Sequence, residues 1–88
     1  MDFEWDPEKA ERNLAKHGVG FEIAREFDWA NSVALPDGRF DYGERRFIAY
    51  GRSSNGAGYV IAFTFRGESQ RIISVRPFGR KEIRLYGK

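Results

Sequence analysis

The feature that most constrains this chain is a change of hydrophobic period near residue 32. Before it, apolar residues recur at helical spacing: Ala10, Leu14 and His17 in one segment, Phe21, Ala24 and Phe27 in the next. After it they alternate, which is the pattern of strands with one covered face. Local punctuation sets the boundaries. Asp6 is an N-cap, Pro7 occupies the first helical position, Glu8 favours the positive end of the helix dipole, and Gly18 closes the helix. A second short helix is predicted from about Phe21 to Phe27. Strands are predicted over Ser32–Leu35, 46–52, 59–66 and 70–76, broken by Pro36-Asp37-Gly38, the run 53–58 and Gly67-Glu68-Ser69. Residues 36–44 form a polar loop, Pro77 ends the last strand, and 80–86 is a terminal helix. Phe3-Glu4-Trp5 is compatible with one further edge strand.

The expectation is a single α+β domain over residues 1–88. It has two N-terminal helices packed on one face of an antiparallel meander of about four strands, and a short C-terminal helix. Strand parity then separates a covered face from an open one. Tyr59, Ile61, Phe63, Phe65, Phe47, Ala49, Ile73 and Val75 are expected inside. Arg46, Arg52, Arg66 and Arg76 fall on the open face with Tyr50, Thr64 and Ser74. This pattern needs a three-residue loop at 67–69. A two-residue Gly67-Glu68 turn instead places Arg66 beside Arg71 and reverses the last strand.

Composition narrows the function. At 88 residues with no cysteine there is neither a disulfide framework nor a thiolate metal site, and His17 is the only histidine. Neither metal nor cofactor is expected. No apolar run is long enough to span a bilayer, and the acidic N-terminus is unlike a signal peptide, so a cytoplasmic protein is expected. Charge is polarised. Residues 1–44 hold five Lys/Arg against eleven Asp/Glu, whereas residues 45–88 hold ten against two. Eleven of the fifteen cations are arginine, which suits bidentate binding of phosphate. Arginines interleaved with an aromatic platform fit single-stranded RNA. The plainer alternative is that they are solvated strand ends or contacts to a protein partner.

Trp5-Asp6, Lys9, Asn13, Lys16-His17-Gly18-Val19, Phe21-Glu22 and Ala24 together resemble the BrnT family of type II toxins. So do Gly43-Glu44, Arg46-Phe47, Gly51, Arg71-Ile72-Ile73-Ser74, Arg76, Glu82 and Tyr86. The likeness runs nearly end to end, although Pro77-Phe78 departs from the polar or basic run usual after the last strand. The resemblance implies a RelE-like fold and an endoribonuclease of the mRNA interferase type. It also implies a BrnA-type antitoxin, whose ribbon-helix-helix domain carries most of the contact with operator DNA, and hence a hetero-oligomer.

Metal-free RNA cleavage must deprotonate the 2′-hydroxyl, stabilise the phosphorane and protonate the leaving 5′-oxygen. Arg66 and Arg76 are the candidates for transition-state stabilisation. Lys16, Arg46, Tyr50 and Arg52 are candidates for RNA binding. His17, Glu44 and Tyr86 are candidates for proton transfer. His17 is open to a second role, capping carbonyls in the last turn of its helix, and Tyr86 to packing beneath the sheet. A non-catalytic module that binds only a protein partner or RNA is the alternative reading of the same residues.

Overall fold

The computed structural model describes residues 2–38 and 43–87. It is an α+β domain built on a five-stranded sheet. In chain order the regular elements are β1 (Asp2–Glu4), α1 (Pro7–His17), β2 (Val33–Pro36), β3 (Phe47–Arg52), β4 (Gly58–Arg66), β5 (Ser69–Pro77) and α2 (Arg80–Tyr86), with two short 3-10 helices between α1 and β2. The sheet order is β1-β5-β4-β3-β2, with β2 to β5 an antiparallel meander. The expected count of about four strands rises to five because residues 2–4 pair with β5, and they do so in parallel. The sheet is therefore mixed.

α1 forms where its caps require. Asp6 accepts a hydrogen bond from the Glu8 N–H at 2.9 Å, and Gly18 ends the helix at φ 72° with its N–H donated to the Leu14 carbonyl. The predicted second α-helix is instead a 3-10 helix at Phe21–Arg25, followed by another at Trp29–Asn31. Its buried face is as expected, since Phe21, Ala24 and Phe27 are all buried. Phe21 and Ala24 are three apart, the period of a 3-10 helix, in which i and i+3 eclipse, and Phe27 follows the helix in a bridge to Ser53. Around them the core gathers Ala49, Ile61, Phe63, Ile72 and Val75. Trp29 lies edge-on to Phe63 and donates its indole N–H to the Ala24 carbonyl at 2.9 Å.

The last strand corrects two expectations together. The hairpin between β4 and β5 is the two-residue Gly67-Glu68 turn, with Gly67 at φ 60° and Arg66 opposite Ser69. Thr64 then faces Arg71, and Ile72, expected outside, is 1% exposed in the core. A β-bulge undoes the reversal. Ala62 pairs with Ser74 and Phe63 with Ile72, so Ile73 is the extra residue and is not a core position. Beyond it Val75 is buried and Arg76 returns to the open face opposite Val60. Phe65, expected in the core, is 52% exposed at the strand end.

β1 covers only residues 69–71 of β5. Farther along, the buried Asn13 amide covers the strand edge. Its Nδ2 donates to the Val75 and Val19 carbonyls at 2.8 and 3.0 Å, and its Oδ1 accepts from the Val75 N–H at 3.2 Å. One side chain thus supplies the pairing a neighbouring strand would have supplied, and fixes α1 alongside the sheet. The proposed polar loop 36–44 lies partly outside the described residues, which omit 39–42.

Candidate functional site

Alternation in β3, β4 and β5 places Tyr50, Arg52, Arg66 and Arg76 on the face away from the aromatic core, and Arg46, just before β3, joins Arg66 through Glu44. They form two groups at opposite ends. Arg76 is opposite Val60, and Arg66 is six residues farther along β4, about 20 Å away at ~3.3 Å per residue.

At the first end, α2 folds back over the open face. Tyr86 stacks on Tyr50 with ring centroids 4.8 Å apart and planes 24° apart, and Phe78 tilts against Tyr86 at 6.3 Å. Tyr86 therefore packs over the open face and not beneath the sheet. Arg76 donates two parallel hydrogen bonds to Glu82, Nη1 to Oε1 and Nη2 to Oε2, each 3.1 Å. The Nε edge of the guanidinium has no partner among the described residues. Glu82 also accepts the Gly79 N–H at 2.7 Å, capping α2. The hydrogen bonds from Arg76, then that from Gly79, hold its carboxyl at about 2, below the ordinary 4.5 and against the opposing effect of burial. Glu82 escaped sequence reasoning as a site residue. Its position three residues after Gly79 is the spacing of a capping box, and that signal could have found it.

Two hollows meet at this end. One, of about 150 Å³, is lined by Ile48, Tyr50, Val60, Ala62, Ser74 and Arg76. The other, of about 260 Å³, lies between the Tyr50–Tyr86 stack, Phe78, Arg52 and the Asp28–Asn31 turn. Arg52 donates to the Gly56 carbonyl at 2.8 Å and its guanidinium lies 5.6 Å from the centre of the Phe78 ring.

At the second end, Arg46 Nε lies 3.0 Å from Glu44 Oε2, and Arg66 Nη2 lies 3.8 Å from Glu44 Oε1. The Arg66 side chain is 55% exposed. Thr64, expected as a free hydrogen-bonding group, is buried and donates its hydroxyl to the Arg45 carbonyl. The structure thus brings Arg76 together with Tyr50, Tyr86 and Arg52, and Glu44 together with Arg46 and Arg66, but does not join the two sets.

Lys16 and His17 lie on a third element. With Lys9, Arg12 and Asn13 they form the α1 wall of an open cleft whose other side is Ile73 and Ser74. Ser74 also lines the Arg76 hollow, so the two spaces are neighbours. Lys9, Arg12 and Lys16 fall within about 60° of the helix circumference at 100° per residue. None of the three has an ion pair among the described residues. Among the described residues, no group of three or more His, Cys, Asp or Glu side chains could hold a metal ion, and no helix is long and apolar enough to cross a membrane.

No curated protein sequence matches the chain. The crystal structure of the Brucella abortus ribonuclease toxin BrnT is 24% identical and matches 91% of this chain and 99% of its own, with a TM-score of 0.73. That likeness establishes a shared fold. Residues 5–82 match the family described as the ribonuclease toxin BrnT of type II toxin-antitoxin systems. Because that match spans most of the sequence, from Trp5 before α1 to Glu82 in α2, the chain belongs to the BrnT family of ribonuclease toxins.

Proposed function

We propose that the chain is an endoribonuclease of the mRNA interferase type that cleaves RNA without a metal ion, at the Arg76 end of the open face. The observation that carries this reading is the placement of Arg76. It borders a hollow that shares Tyr50 with an aromatic stack and Ser74 with a cationic cleft. Glu82 engages one edge of the guanidinium and leaves the Nε edge to meet a phosphate. In the reaction the 2′-oxygen attacks phosphorus and the bond to the 5′-oxygen breaks, giving a 2′,3′-cyclic phosphate and a 5′-hydroxyl. Arg76 stabilises the phosphorane. His17 on α1 lines the cleft that shares Ser74 with this hollow, and Tyr86 on α2 lines the one that shares Tyr50 with it. They are the candidates to take the 2′-hydroxyl proton and to supply one to the leaving oxygen.

Glu44, with Arg46 and Arg66, sits at the far end of the sheet. We assign Arg46 and Arg66 to phosphates distant from the scissile one. Lys16, with Lys9 and Arg12, grips the strand as it leaves the hollow along α1, and Arg52 with Tyr50 holds it on the other side. A type II toxin implies an antitoxin, and we infer a BrnA-type protein whose ribbon-helix-helix domain contacts operator DNA. We infer a cytoplasmic location for the complex, where such an RNA substrate would be met.

The test is incubation of antitoxin-free protein with RNA in excess chelator. Fragments ending in a cyclic phosphate are expected, and their disappearance under chelation would end the metal-free reading. RNA binding without fragments would instead favour a non-catalytic module.

A further inference from the structure

We propose that the hollow between the Asp28–Asn31 turn and the Tyr50–Tyr86 stack is a nucleobase pocket selective for guanine, and that it sets where the chain cuts. The inference rests on the ribonuclease reading for its consequence, but its discriminating residues, Asp28 and Asn31, lie outside that reading. The hollow, about 260 Å³, shares Tyr50 with the hollow at Arg76. A nucleotide whose phosphate meets Arg76 therefore has a neighbouring base within reach of it.

The walls suit a base. Tyr86 and Phe78 offer aromatic surface for stacking, which every base accepts. Discrimination comes from the turn. Asn31 Nδ2 donates to Asp28 Oδ2 at 2.8 Å, which ties the two side chains into one polar edge. That bond leaves both Asp28 carboxylate oxygens with a lone pair able to accept and, beside them, the second Asn31 Nδ2 hydrogen as a donor. Guanine presents the complement along its Watson–Crick edge: two adjacent N–H donors, N1–H and the 2-amino group, beside the O6 acceptor. Adenine and cytosine each offer a single donor group beside an acceptor, and the uracil edge has one N–H between two acceptors. Each can make at most two of these bonds and leaves one Asp28 carboxylate oxygen without a donor, whereas guanine can satisfy all three groups.

The experiment titrates the full chain with guanosine, adenosine, cytidine and uridine 5′-monophosphates by NMR, and separately maps cut sites on an RNA of mixed sequence. Guanosine monophosphate is expected to bind about tenfold tighter than the other three, shifting resonances of Tyr50, Phe78 and Tyr86. Asp28→Asn and Asn31→Ala, both at exposed positions, should each remove the preference and scatter the cut sites. Equal binding of all four nucleotides, or a preference unchanged in both variants, overturns the proposal. Loss of antitoxin affinity in Asp28→Asn, with equal nucleotide binding, does so too and assigns the hollow to the protein partner. Selective guanine binding without any RNA cleavage supports the pocket and sinks the ribonuclease reading alone. Cleavage at every base sinks the pocket alone.

Discussion

The two ends of the open sheet face carry the same chemical pair, arginine with glutamate, and use it differently. At one end Arg76 meets Glu82 through two parallel bonds, and Glu82 is 7% exposed while capping the first turn of α2. At the other, Glu44 meets Arg46 closely and Arg66 at 3.8 Å, with Arg66 largely in solvent. An exposed pair of this kind contributes little, because water screens it and two long side chains lose freedom in forming it. An enclosed carboxylate shared between a guanidinium and a helix N–H couples the arginine's position to the fold of α2. A site that must hold one phosphate still needs the second arrangement.

Substitutions at each end test that contrast. The largest effect is expected from Arg76→Ala, which should lower the single-turnover rate of RNA cleavage by about 10²–10³-fold. Arg76→Lys should fall most of the way, because an ammonium cannot span Glu82 and a phosphate at once. A loss below about threefold, in protein shown folded by circular dichroism, would break the comparison. Glu82→Ala removes both the cap and the partner of Arg76, and should cost about 1–2 kcal/mol in urea denaturation. Glu82→Gln keeps an acceptor for the Gly79 N–H and should lie between the two.

Acid offers a third measure. With its carboxyl lowered from 4.5 to about 2, Glu82 contributes stability that is fully present above pH 4.5 and lost as pH falls toward 2. The urea midpoint of the native protein should therefore drop more across that window than that of Glu82→Gln. Parallel curves would show that the ion pair contributes nothing. The smallest effect is expected from Arg66→Ala, under about 0.5 kcal/mol in stability with the cleavage rate nearly unchanged. A large rate loss there would move the reacting phosphate to the wrong end of the sheet.

Sequence reading succeeded where signals are local. Tyr50 could be placed on the open face because alternation needs only a strand's own residues, whereas Arg76 reaches it through the bulge at Ile73, which offsets the shorter turn. Glu82 could not be paired with Arg76 in this way, since the bond depends on how α2 turns after Pro77-Phe78. The gap between Arg66 and Arg76 was hidden for another reason. Parity reports which face a side chain takes and says nothing of its distance along the strand.

By itself the sequence determined α1 with its Asp6 and Gly18 caps, the strands of the meander and the span of α2, because caps, turns and period act over a few residues. Only the tertiary structure decided the bulge at Ile73, the parallel docking of β1 and the pairing of Asn13 with Val75. The β1 and Asn13 contacts join segments 62 to 67 positions apart. They form because buried backbone groups and charges must find partners once the core has closed.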